Sequence, residues 1–138
     1  MSAVIVGVDE SATARQAATI AASLATALNV PLHVLSVVAV PLKINVSAGG
    51  EHWHTNSIDA AEQLPAALKG ELQAPAITYS VSNGDPASEL VAEADRIGAG
   101  IIVVGNRRVQ GVARVLGAIA TDVARHASCD VYIANTTS

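Results

Sequence analysis

Apolar runs of strand length alternate along this chain with helix-length stretches. Ala3–Asp9, AVIVGVD, is rich in β-branched residues and almost continuously apolar, as a strand covered on both faces of a parallel sheet should be. Ser11–Asn29 then places Ala14, Ala17, Ala18, Ala21, Leu24, Ala25 and Leu28 at helical spacing, with Ser11 as its N-cap. Pro31 closes the connection, and Leu32–Val40 reads as a second strand. From Pro41 to Asn56 the period dissolves around the Gly49-Gly50 pair, which predicts a long loop. Ser57–Gln73 has helical spacing interrupted by Pro65, a residue that breaks or kinks a helix.

The second half is more regular. Ala76–Ser82 reads as a third strand, and Asp85–Gly98 as a helix with Pro86 in its first turn, Glu89 early and Gly98 as its stop. Gly100–Gly105, Val112–Ala127 and Asp130–Asn135 complete the pattern as strand, helix and strand. The order β-α-β-α-β-α-β-α-β predicts a three-layer α/β/α domain: a mostly parallel sheet with helices on both faces and right-handed crossovers. Ligands of such sheets bind beyond the carboxyl ends of the strands, where strand order reverses. The first and fourth strands, ending at Asp9 and Gly105, are the expected flanks of that crevice.

Composition narrows the picture. A chain of 138 residues fits one domain, 1–138, which hides roughly two-thirds of its unfolded surface. Aromatic residues make up 2% and Phe is absent, so Ala, Val, Ile and Leu must build the core. A net charge of −4 with 14% charged residues implies no general affinity for nucleic acid. The lone Cys129 excludes an internal disulfide and suits a reducing compartment; no secretory leader is visible, and no apolar run approaches the ~20 residues of a membrane span. The expected location is the cytoplasm.

Candidate chemistry gathers at the fourth strand. GNRRVQG follows a strand and precedes a helix, the setting in which inward-turned backbone N–H groups and a helix N-terminus hold phosphate. It matches neither of the common glycine-rich fingerprints, and a strand-to-helix turn also uses glycine for structure alone. Asp9 is placed to accept from a ribose hydroxyl or adenine amine, or else it and Ser11 cap the next helix. Signs of catalysis are scarce. His33 falls among apolar strand neighbours and His126 near a helix C-terminus, where a cation is favourable. Glu51, His52 and His54 form a loop cluster of a kind more often solvent-exposed than metal-bound. No nucleophile motif or paired carboxylate is evident, so no catalytic residue and no metal ligand is assigned.

As a whole, the sequence resembles the universal stress proteins. The resemblance rests on VIVGVDES at the first strand, on SNGDPASELVAEADRIGAGIIVVGNR from Ser82 to Arg107, and on VLGAIATDVARHASCDVYIAN near the end. It implies a Rossmann-like adenine-nucleotide-binding fold with a five-stranded parallel sheet in the order 3-2-1-4-5. It also implies a stress-response or regulatory role without catalysis, and a homodimer paired through the last strand at Val131 and Ile133. Nucleotide-binding members carry a loop of the form Gly-x2-Gly-x9-Gly-Ser/Thr. Here Gly105 holds the first position, Arg108 stands in place of the second glycine, and Gly117-Ala118 replaces Gly-Ser, with eight residues between Arg108 and Gly117.

Those departures act on the phosphate half of the site. Arginine at a position needing positive φ costs on the order of 1 kcal/mol or forces another loop path. Loss of a hydroxyl donor at Ala118 removes roughly 1.5–3 kcal/mol if the bond went to a charged oxygen. Against these, Arg107, Arg108 and Arg114 add positive charge, and Gly111 restores backbone freedom. Asp9, Val37 and Gly105 stay available to the adenosine half, with Ser11 and Asn106 as further candidate nucleotide-binding residues. The expectation is ATP binding weakened or lost, with AMP or cyclic AMP as candidate ligands. The alternatives are an intact ATP-binding member, a weak ATPase or phosphotransfer enzyme, and a pure docking domain that uses Arg107 and Arg108.

Overall fold

The computed structural model describes residues 2–8, 12–38, 72–107 and 116–136. They form β1 (Val4–Val8), α1 (Ala12–Leu28), β2 (Leu32–Val38), β3 (Ile77–Asn83), α2 (Pro86–Ile97), β4 (Ile101–Arg107), α3 (Ala118–His126) and β5 (Asp130–Thr136). All pairings are parallel and the sheet order is β3-β2-β1-β4-β5, as the resemblance implied. The expected loop at Pro41–Asn56 and most of the expected helix at Ser57–Gln73 lie outside the described residues. The last two residues of that stretch, Leu72 and Gln73, are not helical.

Alternation along the strands divides the core into two layers. Val4, Val6, Leu32, Val34 and Val103 face α1, and Ile5, Leu35, Ile102 and Val104 face α2 and α3. The face of α1 is almost entirely alanine, with Ala14, Ala17, Ala18, Ala21, Ala22 and Ala25 all buried. Side chains this small bring the helix axis close to the sheet, so a core without Phe can still be dense. Leu28, at the last turn, is instead exposed. The chain leaves α1 through Asn29 at φ 56°, a left-handed residue of the kind that ends helices.

The signals read for α2 all appear in three dimensions. The Asp85 carboxylate accepts from the Ser88 N–H at 3.0 Å and from the Ser88 hydroxyl at 2.9 Å, and Pro86 occupies the first turn. Gly98 closes the helix at φ 68°, and the next N–H, of Ala99, bonds the Ala94 carbonyl. Leu90 of α2 sits directly over Gly7 of β1; a Cβ on Gly7 would stand 3.2 Å from Leu90 Cδ2. Glycine therefore lets α2 lie close against the central strand.

Two expectations at the other end of the sheet need correction. β4 does not stop at Gly105: its ladder with β5 continues through Gly105↔Ala134 and Asn106↔Asn135 to Arg107↔Thr136, because β5 supplies partners for two further residues. The last helix does not include Leu116 and Gly117. Gly117 is its N-cap in extended conformation, and the helix begins at Ala118.

Removing the Leu90 side chain empties the space between α2 and β1. Leu90→Ala is expected to destabilise the fold by about 2–5 kcal/mol, measured as a lowered midpoint of urea unfolding.

Candidate functional site

The reversal of strand order falls between β1 and β4. Their pairing covers only Val4↔Ile101, Ile5↔Ile102 and Val6↔Val103, although β1 runs on to Val8 and β4 to Arg107. β2 stays paired with β1 as far as Val8↔Ser36, and β5 with β4 as far as Arg107↔Thr136. The two central strands therefore part at their carboxyl ends, each still held by its outer neighbour. A crevice opens between Gly7-Val8 on one side and Val104–Arg107 on the other, where open α/β sheets take ligands.

The structure brings Asn106, Gly117 and Ala118 together at this end. Asn106 is 4% exposed, and its Oδ1 accepts from the Gly117 N–H at 2.7 Å. That bond ties the N-terminus of α3 to the end of β4, eleven residues away. Gly117 offers no capping side chain, so the first-turn N–H groups of α3, beginning at the exposed Ala118, keep their donor capacity and the positive end of the helix dipole. Gly105 is exposed within β4, one residue before Asn106. Val37, half-buried on β2, packs against the core shared with α2 and α3. Near the same end of the sheet the buried hydroxyls of Ser36 and Thr136 have no hydrogen-bond partner. Asp9, Ser11, Arg108 and Gly111 lie outside the described residues, as do Arg114 and the Glu51-His52-His54 cluster.

Among the described residues no group of three or more His, Cys, Asp or Glu side chains has the geometry to hold a metal. Cys129 is half-buried, as a small core residue would be. Burial, with Asp95 and Asp130 nearby, pushes its thiol up, away from the reactive thiolate. No helix among the described residues is long and apolar enough to cross a membrane.

A second polar cluster, not singled out in the sequence, lies under α2 at the other side of the sheet. His33 is 7% exposed and stands opposite Thr78 in the ladder of β2 with β3. Its Nδ1 lies 2.5 Å from Thr78 Oγ1, and its Nε2 lies 2.9 Å from both Ser80 Oγ and Glu93 Oε2. Arg96, one turn along α2, grips the Glu93 carboxylate with Nε at 2.8 Å and Nη2 at 2.5 Å. Hydrogen bonding from Arg96 is the main cause that holds the Glu93 carboxyl below its ordinary range, despite partial burial. Desolvation lowers the pKa of His33, and the opposing pull of Glu93 does not cancel it.

The fold is that of a doubly wound α/β protein whose central strands part at the switch point. The family model "Universal stress protein family" matches residues 1–135, and the chain belongs to that family. Among solved structures it is similar to the universal stress protein UspA from Lactobacillus plantarum, at 23% identity and TM-score 0.78, over 96% of this chain and 97% of that one. It is also similar to a universal stress protein in complex with cAMP, at 27% identity and TM-score 0.67, over 98% and 97% of the two chains. A universal stress protein from Archaeoglobus fulgidus in complex with dAMP shares the fold at 20% identity and TM-score 0.64, over 96% and 98%. No curated protein matches the chain.

The His33 cluster gives stability a pH dependence of definite sign. With its folded pKa below the ordinary 6.5, His33 binds its proton more readily in the unfolded chain. Its contribution is complete above pH 6.5 and is lost as pH falls toward the folded value. Urea midpoints are expected to fall between pH 7 and 5, and His33→Gln to flatten that part of the profile.

Proposed function

We propose that this chain is a non-catalytic regulatory protein of the stress response, one universal stress protein domain with an adenine-nucleotide site at the parted ends of β1 and β4. In this reading Asp9, Ser11, Val37 and Gly105 serve the adenosine half. The phosphate half is the loop from Asn106 through Arg108 and Gly111 to Gly117 and Ala118. The observation that carries the reading is the joining of Asn106 to Gly117, which holds an uncapped helix N-terminus at the mouth of the crevice. Backbone N–H groups there suit one phosphate group. The likeness to a universal stress protein in complex with cAMP, at 27% identity, supports a small adenine nucleotide as the ligand.

Discrimination among nucleotides follows from what the loop lacks. Ala118 has no hydroxyl and Arg108 replaces a glycine, so the donors that would reach the outer phosphates of ATP are reduced, while one phosphate near α3 is still served. Isothermal titration is expected to give tighter binding of AMP or cyclic AMP than of ATP; a flat response to all three removes the nucleotide reading. Ala118→Ser combined with Arg108→Gly is expected to tighten ATP binding about tenfold to a hundredfold, the worth of one restored bond to a charged oxygen.

We further propose a homodimer that pairs through β5 in the cytoplasm. β5 is the last strand of the sheet order, with β4 on one side. Val131 and Ile133 turn inward to the α2–α3 core, and Tyr132 is 45% exposed, so the contact falls to Tyr132 and the strand backbone instead of the two aliphatic side chains. Tyr132→Lys is expected to shift the mass in solution from dimer to monomer in light scattering; an unchanged dimer excludes this edge.

A further inference from the structure

The cluster around His33 has a geometry that polar packing does not require. Glu93, held ionised by two bonds from Arg96, can only accept, so the ring nitrogen that faces it, Nε2, carries the proton. Nδ1 is therefore the basic nitrogen. It points at Thr78 Oγ1, 2.5 Å away, and the threonine hydroxyl must donate to it. Ser80 fits the same assignment, since its hydroxyl shares Nε2–H as an acceptor at 2.9 Å and reaches Glu93 Oε2 as a donor at 3.5 Å. Thr78 is exposed and His33 is buried. The result is a carboxylate, an imidazole of fixed tautomer and the hydroxyl of an exposed residue in series, the arrangement by which a base activates an alcohol.

We propose that Thr78 is a primed nucleophile, a covalent modification site for activated acyl donors, with His33 as its general base and Glu93 as the residue that positions His33. Thr78 Oγ1 attacks the acyl carbon while its proton passes to His33 Nδ1. The tetrahedral adduct then breaks the bond to the leaving oxygen, which departs with the electron pair and takes up the proton from His33. An acyl ester on Thr78 and a neutral imidazole remain. This is stoichiometric capture without turnover, and it is independent of the nucleotide reading, because β3 and β4 lie on opposite sides of the central strand. The groups that face His33 are Glu93 and Arg96 from α2 and the hydroxyls of Thr78 and Ser80 from β3. A low His33 pKa keeps the base neutral at physiological pH.

Incubation of the full chain with p-nitrophenyl acetate, followed by peptide mapping, tests this. One acetyl group is expected on Thr78, absent in Thr78→Val and retained in Thr78→Ser. In His33→Gln the rate of labelling at Thr78 is expected to fall about 10²–10⁴-fold, the usual worth of a positioned base. Label confined to lysines, or a rate unchanged in a folded His33→Gln, overturns the proposal. Where that variant proves unfolded by circular dichroism, the pH profile of the unaltered chain decides. A rate that levels off once His33 is neutral supports the assignment, and one that keeps rising in proportion to hydroxide overturns it.

Discussion

Burial of β1 on both faces is the constraint on which the rest of this structure depends. Val4, Ile5 and Val6 are fully buried, with α1 over one side and α2 over the other. A central strand so enclosed tolerates only small or aliphatic covering groups, which are supplied by the alanine face of α1 and by the close approach of Leu90 to Gly7. Because β1 is held by β2 along its whole length and by β4 for only three residues, the sheet opens where β1 ends. The crevice is thus a consequence of pairing.

The two ends of the candidate ligand site differ in what holds them. On the β1–β2 side the neighbouring groups belong to continuous strands, and Val37 is packed against the core. On the β4–α3 side the frame is a side-chain bond between Asn106 and Gly117. A glycine N-cap without a capping side chain leaves the helix N-terminus dependent on whatever approaches it, water or an anion. Universal stress protein membership accounts for the sheet order that this frame belongs to.

His33 shows how a polar residue is accommodated in a sheet of Val and Ile. Each ring nitrogen has a partner, so burial of the imidazole leaves no unmet donor or acceptor. Arg96 remains largely in solvent while it fixes Glu93. Charge is thereby neutralised at the edge of the core, and the imidazole inside stays uncharged.

Much of this was legible along the chain. The strands, α1 and α2 were readable because apolar period and capping residues are local: Asp85, Pro86 and Gly98 each act on backbone a few residues away. The family pattern supplied the sheet order, and with it the place where β1 and β4 part. The length of β4 was not readable, since Arg107 joins the strand only because β5 offers Thr136 as its partner, and the start of α3 depends on Gly117 being drawn to Asn106. Nor did any spacing connect His33 with Thr78 and Glu93, which lie 45 and 60 positions away. A signal existed in the alternating polar residues Thr78, Ser80 and Ser82 of β3, but alternation says only that one face is polar. The sequence by itself determined the elements and the family, because propensity, capping and hydrophobic period are short-range. The tertiary structure alone decided which polar groups meet, because cross-strand register and helix docking set distances that no local rule contains.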